Sequence, residues 1–471
     1  MYQPAPIHPG LGEKFFVPVK AADFPDHILR YRNDRWAKRV GLAGLSDAEW
    51  VDHFGRFKPL DGNIPQPLAL KYHGHQFRTY NPDLGDGRGF LFAQFRDDAG
   101  RILDLGTKGS GKTPFSRTAD GRLTLKGGVR ELLATTMLEA FGVNTSKTFS
   151  LIETGENLTR HDEPSPTRSS VMVRLSHSHI RIGTFQRLRY EEDAENIERL
   201  VDHVLTYYMA DVWKDVSAKS ASERAEAMLR ESIVRVTRTG CQWMAAGFVH
   251  GVLNTDNINI TGESFDYGPW RFLPHYEPGF TAAYFDSSGL YAYGRQPATL
   301  FWNLQRLAQC LLPLCDEETL VAALETFPKA LEEGLIAAML GRLNLARRDP
   351  TSDLDFLSIL YDVLEATKAP FEQFFFDWQG GRASEARAAR SPSAEIYRSA
   401  AFAPLKDALA AYEVAVPERL SHPYFAEEKP ETLLIEEVES LWEPIAQMDD
   451  WKPVYAKCAA ILRAGEAYGN L

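Results

Sequence analysis

Cysteine is scarce. The 471 residues hold four, Cys241, Cys310, Cys315 and Cys458, and none forms a C-x-x-C pair. That spacing excludes a disulfide framework and structural zinc, and leaves small buried thiols in a reducing compartment as the expectation. Long hydrophobic runs are missing as well. No apolar stretch approaches the ~18–20 residues needed to cross a bilayer. The opening "MYQPAPIHPGLGEKFFVPVK" lacks the basic start and apolar core of a secretory leader. A cytoplasmic protein with no membrane partner is therefore expected. Positive charge is in deficit: 52 Lys and Arg face 64 Asp and Glu, a net charge of −12. Such a chain repels nucleic acid overall, so no nucleic-acid partner is expected. A phosphate ligand would need a small, dedicated group of Lys and Arg.

Length allows two to four domains. Residues 1–70 are rich in Pro and aromatics with weak periodicity, and read as an extension draped over a domain. Residues 71–190 are strand-like. "GFLFAQFRD" and "RILDLGTKG" flank the turn-forming Asp97–Gly100 and predict a hairpin, and "SVMVRLSHSHIRIG" alternates like another strand. One helix intervenes, "GGVRELLATTMLEAFGV", with Val129, Leu132, Leu133, Met137 and Phe141 at helical spacing. Residues 191–471 turn mostly helical, with long amphipathic stretches such as "SERAEAMLRESIVRVTRTGCQWMAAGF". "GGRASEARAARSPSAEI" at 380–396 reads as a mobile connection, and "FEQFFFDW" at 371–378 as core packing. No internal repeat is visible. The outline is α+β: a protein-kinase-like two-lobed fold with a mixed β/α N-lobe and a larger, mostly helical C-lobe.

Gly106, Gly111, Lys112 and Thr113 satisfy G-x-x-x-x-G-K-[ST] letter for letter. A P-loop, however, opens a helix whose N–H groups cradle phosphate. Here Pro114 comes at once, and nothing after it has helical apolar spacing. The same stretch fits another use. Lys108 closes the "ILDLGTK" strand and Glu131 falls in the first turn of the next helix, as in kinases that hold a phosphate-binding lysine with a helix carboxylate.

A second cluster, "FVHGVLNTDNINITGESFDYGPW", aligns with H-[RG]-D-x-x-x-x-N followed by D-F-G. From His250, Asn257 falls on the metal-binding Asn and Asp266-Tyr267-Gly268 on D-F-G. Val252 occupies the position of the catalytic Asp, and an isopropyl group accepts no proton. Asn257 and Asp266 offer hard oxygens suited to Mg²⁺. Asp256 puts a carboxylate beside that pair, as a relocated general base. His73 and His75, and His177 and His179, form two pairs without an accompanying Cys or acidic cluster and read as hydrogen-bonding residues.

Together "GHQF", "LGDGR", "TKGSGKTPFSR-x-x-DGR", "RELL", "IRIGTF", "HGVLNTDN" and "DYGP" resemble the selenoprotein O family, protein adenylyltransferases on a pseudokinase fold, from about residue 72 to 309. The resemblance implies transfer of AMP from ATP to Ser, Thr or Tyr hydroxyls of proteins, with Mg²⁺ as cofactor and Mn²⁺ as an alternative. It places Lys108, Arg88, Arg174 and Arg181 on the phosphates, and Gly85, Gly87, Asp120 and Gly121 among the nucleotide contacts. Glu131 positions Lys108, Asn257 and Asp266 hold the metal, and Asp256 is the catalytic base. Lys112 replaces a family Arg. After about residue 330 little family sequence is evident, and the closing "AILRAGEAYGNL" holds no Cys. A catalytically inactive nucleotide-binding scaffold and a conventional kinase-type phosphotransferase stay open as alternatives.

Overall fold

The computed structural model describes residues 1–161 and 163–471. Its first strands are too short to show periodicity. They are β1 (Phe16–Pro18), β2 (Ile28–Arg32) and β3 (Leu68–Leu70), with helices α1 (Asp34–Arg39) and α2 (Asp47–Phe54) between the second and third. A small hairpin comes next, β4 (Gly74–Gln76) and β5 (Thr79–Asn81), and then the expected one, β6 (Leu91–Arg96) and β7 (Ile102–Lys108). Asp97 shapes the tip of the second hairpin, its Oδ1 accepting from the amides of Ala99 and Arg101 at 3.0 and 2.9 Å. After the short β8 (Leu123–Thr124) come helix α3 (Leu125–Ala140) and the long strands β9 (Lys147–Leu158) and β10 (Thr167–Ser176).

All of these strands except β4 and β5, which pair only with each other, form one antiparallel sheet in the order β1-β3-β6-β7-β10-β9-β2, with β8 paired to β10. Both faces are covered. Along β10, Val171, Val173 and Leu175 point into an aromatic cluster with Trp36, Trp50, Phe54 and Phe149, while Met172 joins the core beneath α3. Thr124 caps α3 by accepting from Gly127 N at 3.1 Å, and Leu125, Val129, Leu132, Leu133 and Met137 are its buried face.

The segment before residue 71 is thus no draped extension. It supplies β1, β2 and β3 to the sheet, and both helices that seal its aromatic face.

The remainder is helical: α4 (Ile182–Tyr190), α5 (Ala194–Tyr208), α6 (Ala210–Val216) and α7 (Ala221–Ala245), then β11 (Phe248–Val249) paired with β12 (Arg271–Phe272), and α8 (Gln296–Leu311). A capping box between Ser220 and Glu223 starts α7, and Pro297 lies in the first turn of α8. Further helices run on to Lys452–Ala467, which packs on α3; near it Asn470 Nδ2 donates to the Ala140 carbonyl at 2.9 Å.

Residues 380–396 are not a mobile connection. They fold into the turn Gly381–Ser384, the helix Glu385–Ala388 and the start of the helix Ala394–Arg398. Asp377 ties them down, accepting from Ser391 Oγ at 2.5 Å and Tyr397 OH at 2.8 Å. Arg387 lies over the rings of Phe376 and Phe425, so a polar composition hides a packed segment. Phe371–Asp377 is a buried helix, and all four cysteines are buried and free. Among the described residues no helix is long and apolar enough to cross a membrane.

Candidate active site

A cleft of about 450 Å³ opens where the sheet meets the helical half. Its walls come from the loop Gly85–Gly89, the end of β7, β10, the start of α4, and the segments 252–257 and 266–269.

Lys108, at the end of β7, is 5 % exposed, and its Nζ donates to Glu131 Oε2 at 2.6 Å. Burial pushes the ammonium pKa down; Glu131 opposes that shift. Because α3 begins at Leu125, Glu131 sits in its second turn rather than its first. Arg174 pairs across β10 with Gly106 of β7, which brings its guanidinium beside the same carboxylate at 3.7 Å.

Arg181 precedes α4 and stacks on the Tyr72 ring, 4.2 Å from the centroid. Its Nη1 donates to Asp86 Oδ1 at 2.9 Å. Asp86 in turn accepts from Leu70 N at 3.1 Å. Arg174 and Arg181 both reach Asp266, at 2.5 and 3.4 Å, and Lys108 lies 3.7 Å from it. Burial works to raise the Asp266 pKa, but the three cations together hold it well below the usual carboxylate range. Asp266 also has φ of 62°, so the turn into Tyr267 is strained where its carboxylate meets the cations.

The segment carrying Asp256 is fastened from three sides. His250 N donates to Gln296 Oε1 of α8 at 3.0 Å, Thr255 Oγ1 donates to Gln186 Oε1 of α4 at 2.6 Å, and Thr255 Oγ1 accepts from His75 N of β4 at 2.7 Å. Asp256 is 9 % exposed, and its Oδ1 is buried without a hydrogen-bond partner. Burial pushes its pKa up to about 6. Asn257 Nδ2 donates to the Val252 carbonyl at 3.0 Å, and Asn257 and Val252 both line the cleft.

Gly85, Gly87, Arg88, Lys108, Arg174, Arg181, Asp256, Asn257 and Asp266 therefore share one cavity, with Glu131 directly behind it. Asp120 and Gly121 do not. Arg160 pairs with the Asp120 carboxylate at 2.7 Å, and Asp120 borders a separate depression with Lys112. The Gly121 carbonyl accepts from Gly111 N at 3.1 Å. Lys112 is exposed, and no helix starts between Thr113 and Leu125, so the Walker-like letters lack P-loop geometry. The four histidines of the two pairs are engaged through their rings: His73 with Tyr80, His75 with Gln186, His177 with the Ile102 carbonyl and His179 with Asp104. Tyr72, Gln76 and Asp86 also line the cleft and were not singled out by sequence, although Asp86 sits between the two glycines of "LGDGR".

Among the described residues no three His, Cys, Asp or Glu side chains cluster as a metal cage. A hard divalent ion such as Mg²⁺ needs no cage, since one or two protein oxygens suffice when phosphates and water complete its shell. The Asp266 carboxylate and the amide oxygen of Asn257, whose nitrogen is engaged by the Val252 carbonyl, are donors of the right chemistry.

The sequence profile of the protein adenylyltransferase SelO family matches residues 2–462. This chain belongs to the SelO family. The protein nucleotidyltransferase YdiU of Synechocystis sp. is 43 % identical over 479 residues, covering 96 % of each chain. Its namesake in Trichodesmium erythraeum is 42 % identical over 467 residues, again 96 % of each, and that of Vibrio cholerae 35 % over 354, covering 74 % of this chain and 70 % of the relative. SelO-family sequence thus continues well past residue 330, where no resemblance is legible by motif. Membership makes the chain an enzyme, a nucleotidyltransferase whose substrates are ATP and proteins.

Proposed function

We propose that the cleft binds ATP with a divalent ion, Mg²⁺ or Mn²⁺, and transfers AMP to a Ser, Thr or Tyr hydroxyl of a protein, releasing pyrophosphate. The observation that carries this reading is the pairing of Val252 with Asp256. Both line the cleft, one without a proton acceptor and the other a buried carboxylate with a free oxygen. Asp256 accepts the proton of the incoming hydroxyl as its oxygen bonds to the α-phosphorus and the bond to pyrophosphate breaks. Burial brings its pKa close to neutral, which suits a base that must take and then release a proton.

Charge develops on the departing pyrophosphate. Lys108, Arg88, Arg174 and Arg181, four of the cations that line the cleft, stabilise it in a chain of net charge −12. Arginine adds a planar fork of donors matched to phosphate oxygens. Without ligand, Asp266 is the shared counter-ion of three of these cations. Asn257 and Asp266 would hold the divalent ion, whose chemistry is to neutralise phosphate charge. Glu131 keeps Lys108 extended toward the cleft, and Asp86 keeps Arg181 there. The sheet with α3 and the larger helical half correspond to the two lobes of a kinase-like fold, with the cleft between them. Four buried free thiols support a reducing compartment such as the cytoplasm.

Incubation with ATP labelled at the α or the γ position and Mg²⁺ tests the reading. Label on protein from the α position is the expected result; label from the γ position alone would show a kinase-type transfer instead.

A further inference from the structure

Two residues break the rule for their turn. Hairpin β4–β5 closes through Phe77 and Arg78, with φ of 48° and 64°. A two-residue loop with both φ positive favours Asn-Gly, and bulky side chains there are costly and uncommon. Strain of this kind collects at functional sites, where neighbours hold it in place. Those neighbours belong to the active-site loop. Phe77 N donates to Asn254 Oδ1 at 3.1 Å, and Tyr291 OH donates to the same oxygen at 2.6 Å.

The turn presents the Phe77 ring at the surface, 4.9 Å from Tyr291 and 5.9 Å from Phe285, centroid to centroid. Phe285 is 49 % exposed and Tyr284 87 %. Gln76, one residue before Phe77, and Asn254 line the cleft together with Asp256, so the apolar patch continues the cleft mouth. Arg78 stands at its edge over the Trp302 ring, without an ion-pair partner among the described residues.

We propose that this patch docks the acceptor protein: an apolar side chain next to the target hydroxyl packs on Phe77, Phe285 and Tyr284, and an acidic side chain further along meets Arg78. The inference rests on the adenylyl-transfer reading, because it takes the hydroxyl to lie beside Asp256. Continuity selects this occupant. Asn254, which anchors Phe77, is two residues from Asp256, so whatever covers the patch stands at the entrance the hydroxyl must use. Charge agrees, since an unpaired arginine beside an apolar patch suits an acidic flanking residue.

The test is a synthetic peptide library with a central Ser, Thr or Tyr and varied flanking positions, offered with α-labelled ATP and Mg²⁺ to the wild type and to Phe77→Asn, Phe285→Ala and Arg78→Glu. Asparagine tolerates positive φ, so Phe77→Asn removes the ring while keeping the turn. The wild type is expected to favour Leu or Phe beside the hydroxyl and Asp or Glu beyond it. Phe77→Asn should raise the peptide KM about tenfold, with the KM for ATP unchanged and Tm within ~2 °C. Arg78→Glu should turn the acidic preference into a basic one. Absence of flanking preference, a preference the variants leave intact, or equal rises in KM for ATP and peptide would overturn the inference. So would labelling of proteins but of no peptide. Label from the γ position alone would instead overturn the adenylyl-transfer reading, and the peptide KM of Phe77→Asn would still judge the docking surface.

Discussion

At the scale of single residues, two lysines four positions apart separate a motif from a site. Lys108 is buried against Glu131 and faces the cleft; Lys112 is exposed and borders another depression. Lys108→Ala should therefore cut AMP transfer about 100-fold or more and lower Tm, because it strands a buried carboxylate. Lys112→Ala should leave both within experimental error, as α-label incorporation and a thermal melt will show. Asp256 has the opposite relation to stability. Burial raises its pKa to about 6, so ionisation costs the folded state; the cost is absent well below the unfolded value and grows as pH rises through 6. In ligand-free protein, Asp256→Asn is expected to raise Tm at pH 8 and to give no advantage at pH 4, measured by paired melts. Sequence carried much at this scale, since Lys108, Arg174, Arg181, Asp256, Asn257 and Asp266 all reach one cavity. It did not announce that Asp120 lies outside that cavity, paired with Arg160 40 residues away, a partner no local pattern marks.

At the scale of elements, hairpin β4–β5 sets where Asp256 stands. A Cβ on Gly74 would come within 2.7 Å of Asp256 Oδ1 and 3.0 Å of its Cβ, so the absence of a side chain there lets the hairpin lie on the segment that carries Asp256. Gly74→Ala should displace the carboxylate and lower kcat about tenfold or more, with little change in ATP affinity by calorimetry. The long elements were legible because periodicity and caps agree over many residues, as in α3 and the β6–β7 hairpin. The hairpin β4–β5 was not. Its strands are three residues each, and its turn uses Phe77-Arg78 where turn chemistry favours Asn-Gly.

At the scale of the whole molecule, both ends of the chain converge on the sheet and α3. Asp449 pairs with Arg30 of β2 at 3.0 Å and with Arg168 of β10 at 2.7 Å. Beyond it, Trp451, Val454, Cys458 and Ile461 are buried in the same core as α3. Each such side chain stabilises by about 1.5–3 kcal/mol when buried, and together they rival the ~5–15 kcal/mol that holds a whole protein folded. Removal of residues 450–471 is expected to abolish cooperative unfolding and expose the α3 face, read by a thermal melt with an apolar dye. Partners outside the segment explain why residues 1–70 and 380–396 are misleading in sequence: the first is held by strands far along the chain, the second by Asp377 just before it and Phe425 beyond it. The central claim is that the carboxylate of residue 256 performs the proton transfer in a cleft that binds nucleotide without it. Transfer of α-label and ATP affinity measured side by side in Asp256→Ala test it most directly. The predicted result is transfer reduced about 100-fold or more with ATP affinity within about threefold of wild type; undiminished transfer, or loss of binding along with it, would contradict the claim.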